Sequence, residues 1–445
     1  MPRLSTLIAI FICLFAIAPA HALDGGRYGD VRLATPTGTP RGYVVLFSDA
    51  GGWTPADQVR LDSLAGAGAL AVGVDTDVYL ARVASKEAPC DQLVGDAEGL
   101  SRQLQREHGG AEYFFPILTG VGKGGALAGA ILAQTPPATL GGAVSLDPWA
   151  VVQTSHGFCT RFPSDGVEPR HWRVPILNRF WSVALTPATP GITRAHFETL
   201  QALSPDLEVQ TLSARRPDQT LASLVAPHLV QDDFSRVGGL PLIELPASKP
   251  SGLMAVFLSG DGGWRDIDKT IAENLQSLGV SVVGWDSVRY FWQSKTPQQT
   301  AADLSAVILD YSAKWHADKV ALIGFSFGAD TLPFAYDRLR PSLKQHVAMI
   351  SLLSLGRAAD WEIRVVGWLG AGPSAQATPL APAIKDIPGK MIQCFYGDQD
   401  SGSYCPDLVK QGAEVIEKKG IHHFDGNYVF MAHQILDGFK RRIEN

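Results

Sequence analysis

Cysteine is scarce in this chain: Cys13, Cys90, Cys159, Cys394 and Cys405 are the only ones among 445 residues. No two stand at a C-x₂₋₄-C spacing, so a thiolate zinc site is not expected. Also missing is any run of Lys and Arg able to track a phosphate backbone. With 38 basic and 44 acidic residues the net charge is −6, which argues against nucleic-acid binding. Past the N-terminal segment there is no stretch of eighteen uninterrupted apolar residues, so no later membrane span is expected. What remains is globular in composition, 46% apolar and 18% charged. A chain of 445 residues outgrows a single core, which predicts two domains.

The first 22 residues combine a basic start at Arg3, an apolar stretch from Leu7 to Ile17 and a small-x-small site at Ala20-His21-Ala22. This reads as a secretory signal peptide cleaved after Ala22, too short for a comfortable span. Export gives the four remaining cysteines an oxidising compartment. Three pairings are open to them, but two fall in each half of the chain. That favours Cys90 with Cys159 and Cys394 with Cys405.

The chain repeats itself. Shifted by 211 residues, VVLFSDAGGW (44–53) falls on AVFLSGDGGW (255–264), and AVGVDTDVY (71–79) falls on VVGWDSVRY (282–290). With a shift of 204, LTGVGKG (118–124) falls on LIGFSFG (322–328). A period of that length is a domain, not a solenoid unit, and implies duplication. The expected division is a leader at 1–22, one domain at 23–237 and another at 238–445, with the boundary near Gly238 to Pro241.

In the second half, apolar strands alternate with helical patterns. LMAVFLS, VSVVGWD, KVALIGFS, HVAMISLLS and GKMIQCFYG read as buried strands. Asp266–Leu278 reads as a helix. Thr300–Lys314 carries Leu304, Val307, Ile308 and Tyr311 at i, i+3, i+4 and i+7, an amphipathic helix. Such alternation predicts an α/β fold, a parallel sheet covered on both faces, in each half.

An α/β sheet works from the loops at the carboxyl ends of its strands. GFSFG lies there, between KVALI and a helical stretch, as a nucleophile elbow whose glycines permit the sharp turn and whose Ser326 is lifted toward solvent. The acid and base should follow in that order. Asp400, three residues past Gly397, is the expected acid and Asp398 the second choice. In GIHHFDGNY, His423 is the expected base, standing directly before Phe424, with His422 the alternative. Oxyanion donors are expected in the backbone N–H groups of Phe327 and Asp261. Trp264, Trp285, Tyr290, Phe291 and Trp292 are candidates for an apolar trough. Asp261, Asp286 and Asp330 could suit a cationic substrate. The mechanism needs no metal or cofactor.

These residues resemble the bacterial VirJ/AcvB proteins, periplasmic α/β-hydrolase-like proteins linked to virulence. LSGDGGW, GFSFGAD, CFYGDQDSGSYCP and HHFDGNY carry the resemblance, which covers essentially the second half. The two-domain layout, with CDQLVGDAEGLSRQLQR and GFCTRFP, looks like the longer, AcvB form. The resemblance implies hydrolysis of lysyl-phosphatidylglycerol at the outer leaflet of the inner membrane by Ser326, Asp400 and His423. It also implies peripheral membrane contact and, as another role ascribed to such proteins, partners in a secretion system. Asn427 departs from the aspartate expected there.

In the first half Gly122 replaces the serine, followed by Lys123. GVGKGG lacks the G-x-x-x-x-G-K-[ST] frame, so nucleotide binding is not expected. His228 could echo the histidine loop, without a partner serine. This half therefore reads as a degenerate hydrolase kept as a scaffold.

Overall fold

The computed structural model describes residues 23–108, 112–135, 139–159, 180–204, 207–213, 217–229, 237, 239–364 and 373–444. The leader and Gly238 lie outside the described residues. Two sheets are built from successive parts of the chain.

The first contains β1 (Leu23–Asp24), β2 (Asp30–Ala34), β3 (Gly42–Phe47), β4 (Ala69–Val74), β5 (Ile117–Val121), β6 (Gly142–Leu146), β7 (Trp181–Leu185) and β8 (Leu207–Thr211). The second contains β9 (Leu242–Leu245), β10 (Leu253–Leu258), β11 (Val280–Trp285), β12 (Lys319–Phe325) and β13 (Val347–Leu353), then β16 (Ile392–Gly397) and β17 (Glu414–Lys418). Between them β14 (Ala358–Ala359) and β15 (Thr378–Pro379) form a small separate hairpin.

The sheet orders are β1-β2-β4-β3-β5-β6-β7-β8 and β9-β11-β10-β12-β13-β16-β17. Apart from β1, the two run strand for strand alike: one antiparallel strand (β2, β9) beside six parallel ones. Register is shared as well. Val44 pairs with Ala71 and Ile117 in the first sheet, and its counterpart Ala255 pairs with Val282 and Ala321 in the second. This is the α/β-hydrolase arrangement, twice.

Central strands are apolar on both faces because helices cover both. In the second domain Val256, Leu258 and Leu322 point into one buried cluster, whereas Ala255, Phe257 and Ile323 point into another. The helix Pro297–Trp315 starts with a Thr296–Gln299 capping box and Pro297 in its first turn, and it buries Leu304, Val307, Ile308 and Tyr311. Thr54, Pro55 and Asp57 start the helix Pro55–Gly66 the same way. Among the described residues no helix is long and apolar enough to cross a membrane.

Candidate active site

Ser326 ends β12 and begins the helix Phe327–Asp337, with φ 52° and ψ −117°. A non-glycine residue in that region is strained and is held there only by its surroundings. The flanking glycines explain how. A Cβ on Gly324 would lie 2.7 Å from the backbone of Gly328 and Ala329, and one on Gly328 would lie 2.3 Å from the Leu258 carbonyl oxygen. The elbow thus packs backbone against backbone, and Ser326 N donates to Leu353 O at 2.9 Å.

The histidine that faces Ser326 is His422, not the expected His423. His422 Nε2 lies 2.7 Å from Ser326 Oγ. Its Nδ1 faces Asp400 Oδ2 at 3.5 Å, an ion-pair separation rather than a made hydrogen bond. Catalytic hydrogen bonds of this kind commonly tighten only when substrate is bound. The loop is fixed from behind: Ser354 Oγ donates to the His422 carbonyl at 2.7 Å, and Phe424 turns the chain at φ 56°. The neighbouring His423 puts its ring 5.4 Å from Phe325 and 5.8 Å from the His422 ring. Desolvation, then the neighbouring His422 and Arg265, push its pKa below the usual imidazole range. Asp398, the second choice for the acid, is used elsewhere: its Oδ1 accepts from Gly420 N at 2.8 Å and braces the histidine loop.

Asp261 lies in the turn Gly260–Gly263, closed by Gly263 N donating to Gly260 O at 3.1 Å. The first domain carries the counterparts of the N–H groups of Asp261 and Phe327. There the equivalent donors, Ala50 N and Lys123 N, both point at Asp49 Oδ1, at 2.7 and 2.8 Å. A carboxylate oxygen occupies the spot where two backbone donors would stabilise an oxyanion. The second domain has Gly260 at that position, without a side chain to fill the spot.

As placed, Asp49 also leaves no room for a side chain at 122: a Cβ on Gly122 would lie 2.1 Å from Asp49 Oδ1. Gly122 keeps the elbow conformation, φ 54°. Lys123 Nζ pairs with Asp77 at 2.6 Å. A cleft of about 550 Å³ remains there, lined by Asp49, Gly122, Asp147, Trp149 and Thr189. His228 is not in it; its ring stacks on Phe180 at 3.7 Å.

The aromatic trough is not found. Trp264, Trp285, Tyr290, Phe291 and Trp292 are all at most 4% exposed. Trp264 fills the space over Gly284, where a Cβ would meet its ring at 2.5 Å, and Tyr290 and Phe291 belong to the core. They close the fold, so Trp264 is not placed to bind substrate. Asp286 is likewise buried, capping the short helix Ser287–Tyr290 through Arg289 N. Asp330 stays near the site, one turn after Ser326, accepting from Gly356 N at 2.7 Å. Desolvation, with the carboxylates of Asp261 and Asp360 nearby, pushes its pKa well above the usual range.

Both disulfides form as expected, Cys90–Cys159 and Cys394–Cys405. The second closes the loop that carries Asp400. Among the described residues no group of three or more His, Cys, Asp or Glu is arranged to hold a metal ion.

Fold and elbow define the second domain as a member of the α/β-hydrolase class. Its sequence is more specific: residues 252–443 match the family described as bacterial virulence protein (VirJ), and this part of the chain belongs to that family. The disulfides and the family together mark an extracellular or periplasmic protein. No curated protein sequence matches the chain.

Solved structures similar to it include Est1E from Butyrivibrio proteoclasticus with bound ferulic acid, at 14% identity and a TM-score of 0.34. That match covers 47% of this chain and 98% of Est1E. XC6422 from Xanthomonas campestris, described as a serine hydrolase without a lid, matches at 18% identity and 0.32, covering 46% and 91%. DcsB in complex with a substrate analogue matches at 13% and 0.35, covering 46% and 100%. Likeness at this level transfers no activity to the present chain.

Proposed function

We propose that the second domain is a periplasmic serine ester hydrolase that releases lysine from lysyl-phosphatidylglycerol. The observation that carries the hydrolase is the 2.7 Å contact of His422 Nε2 with the strained Ser326 Oγ. His422 takes the serine proton as Oγ attacks the ester carbonyl. The oxyanion rests on the N–H groups of Asp261 and Phe327, and His422 then protonates the departing glycerol oxygen. Water, activated by His422, releases the acyl group by the same steps in reverse. Asp400 stabilises the imidazolium across its present 3.5 Å gap.

The lysyl lipid is drawn from the VirJ/AcvB resemblance. Asp261, in the Gly260–Gly263 turn, is the carboxylate this reading assigns to a cationic acyl group. A second reading, a non-catalytic partner of a secretion apparatus, is disfavoured by the contrast between domains. The first has glycine in place of the serine and a carboxylate on its two backbone donors, whereas the second keeps Ser326 and has Gly260 in place of that carboxylate.

The test is release of free lysine from lysyl-phosphatidylglycerol in detergent micelles by the mature protein and by Ser326→Ala. Release that falls at least about a thousandfold in the variant supports the reading. Cleavage of simple esters alone, dependent on Ser326, would keep the hydrolase and remove the lipid. Turnover of neither would leave the interaction protein.

A further inference from the structure

The two domains brace their equivalent turns differently. In the first, Gly51 N donates to Asp77 Oδ2 at 2.8 Å and Trp53 N to Asp75 Oδ2 at 3.0 Å, both within the domain. Asp75 has the counterpart Asp286, but the counterpart of Asp77 is Val288, which cannot accept a hydrogen bond. The turn Gly260–Gly263, rich in glycine and therefore conformationally permissive, has lost one internal brace.

Its replacement comes from the other domain. The helix Val94–His108 lies against the turn and buries Arg102 to 4% exposure. Arg102 Nη2 donates to the Gly262 carbonyl at 2.7 Å and to Glu98 Oε1 at 3.2 Å. Glu98 Oε2 in turn accepts from Arg265 Nη1 at 2.5 Å, so the turn is gripped on both flanks. Four residues along the same helix face, Arg106 donates to Trp292 O at 2.7 Å, Glu362 Oε1 at 2.9 Å and Ile363 O at 2.5 Å. Its guanidinium lies 4.1 Å from the Trp292 ring centre, and Tyr113 packs on the other side of the joint against Val288 and Trp292. The helix that carries Arg102 is thereby held independently of Arg102 itself.

We propose that Arg102, oriented by Glu98, is a positioning residue for the oxyanion site: the emptied first domain holds the Gly260–Gly263 turn so that Asp261 N–H faces the reacting carbonyl. This inference rests on the hydrolase reading above. A fixed donor costs no reorganisation as charge develops, and a loosened one loses that advantage in the transition state only. The expected signature is therefore a fall in kcat with KM unchanged.

The experiment compares full-length wild type with Arg102→Met, Arg102→Lys and Glu98→Gln. A neutral p-nitrophenyl ester serves as substrate and a fluorophosphonate reports on Ser326. Arg102→Met should lower kcat about ten- to a hundredfold with KM within about twofold, as misplaced catalytic groups do. Arg102→Lys, still able to donate to Gly262 O, should recover most of the loss, and so should guanidinium ion added to Arg102→Met. Equal kcat in wild type and Arg102→Met overturns the inference and leaves the hydrolase standing. So does a loss in Arg102→Met that is shared by KM and thermal stability and not rescued by lysine, which is the mark of a merely structural contact. Wild type that neither turns over ester nor takes the label removes the hydrolase reading and this inference with it.

Discussion

Asp49 fills the space beside Gly122: a Cβ at 122 would sit 2.1 Å from Asp49 Oδ1, far inside the contact distance of the two atoms. The first domain therefore did not simply lose a serine. Its oxyanion donors, Ala50 N and Lys123 N, are satisfied by a side chain of the same domain. In the second domain the counterpart of Asp49 is Gly260, which has no side chain to occupy the equivalent donors.

This predicts that Gly260→Asp inactivates the second domain by filling its oxyanion site. A Cβ there has 3.1 Å to Phe325 and 3.5 Å to Ser326 Cβ, tight but without backbone collision. The variant should fold, keep its melting temperature within a few degrees, and lose about a hundred- to a thousandfold in kcat. Wild-type turnover by a folded Gly260→Asp protein would show that the donors are not used.

Asp261 is expected to act twice, with its N–H toward the oxyanion and its carboxylate toward a cationic acyl group. Asp261→Asn keeps the first role and removes the second. The KM for a lysyl ester should rise about three- to fivefold, the size of an exposed charge pair, while a neutral ester is cleaved as before. A parallel change for both esters would contradict a charge-recognition role.

Asp268 is buried at the start of the helix Asp266–Ser277, and its Oδ1 has no hydrogen-bond partner among the described residues. Its counterpart Asp57 accepts from Thr54 and Arg60. Desolvation first, then Asp286 and Asp266, push the Asp268 carboxyl well above its usual range, against the opposing pull of Arg265. The folded state thus binds this proton more tightly than the unfolded chain. The stability it contributes is present below about pH 4, the unfolded carboxyl value, and is lost as pH rises through the raised folded pKa. Asp268→Asn cannot ionise, so its melting temperature should exceed that of wild type by a margin that grows from pH 4 to pH 8. A margin independent of pH, or of opposite sign at pH 8, would contradict the account.

Much of this was legible in the chain. The shifts of 211 and 204 residues lay one domain on the other, and the structure keeps the same strand pairing on both sides. Ser326 was visible because a glycine-flanked serine stands between a strand pattern and a helix pattern, the context a nucleophile elbow needs. The choice between His422 and His423 was not legible, since adjacent residues in a turn point in different directions and distant contacts, such as Ser354 with the His422 carbonyl, decide which one faces Ser326. The aromatics misled for a general reason: at strand ends a large ring serves core closure as readily as a binding wall. Asp49 falls on Gly260 when SDAGG is laid on SGDGG. Its meaning needed the geometry of the two donors. The Arg102 contact, 160 residues from its partner, leaves no local trace in sequence.

The most direct test of the central claim is mass spectrometry of the protein after treatment with a fluorophosphonate, comparing wild type with Ser326→Ala, His422→Ala and His423→Ala. The account predicts one adduct per chain, on Ser326, formed at similar rates in wild type and His423→Ala. It predicts no adduct in Ser326→Ala and a rate at least about a thousandfold lower in His422→Ala. Labelling that depends on His423 instead of His422, or wild type that takes no label at Ser326, would contradict it.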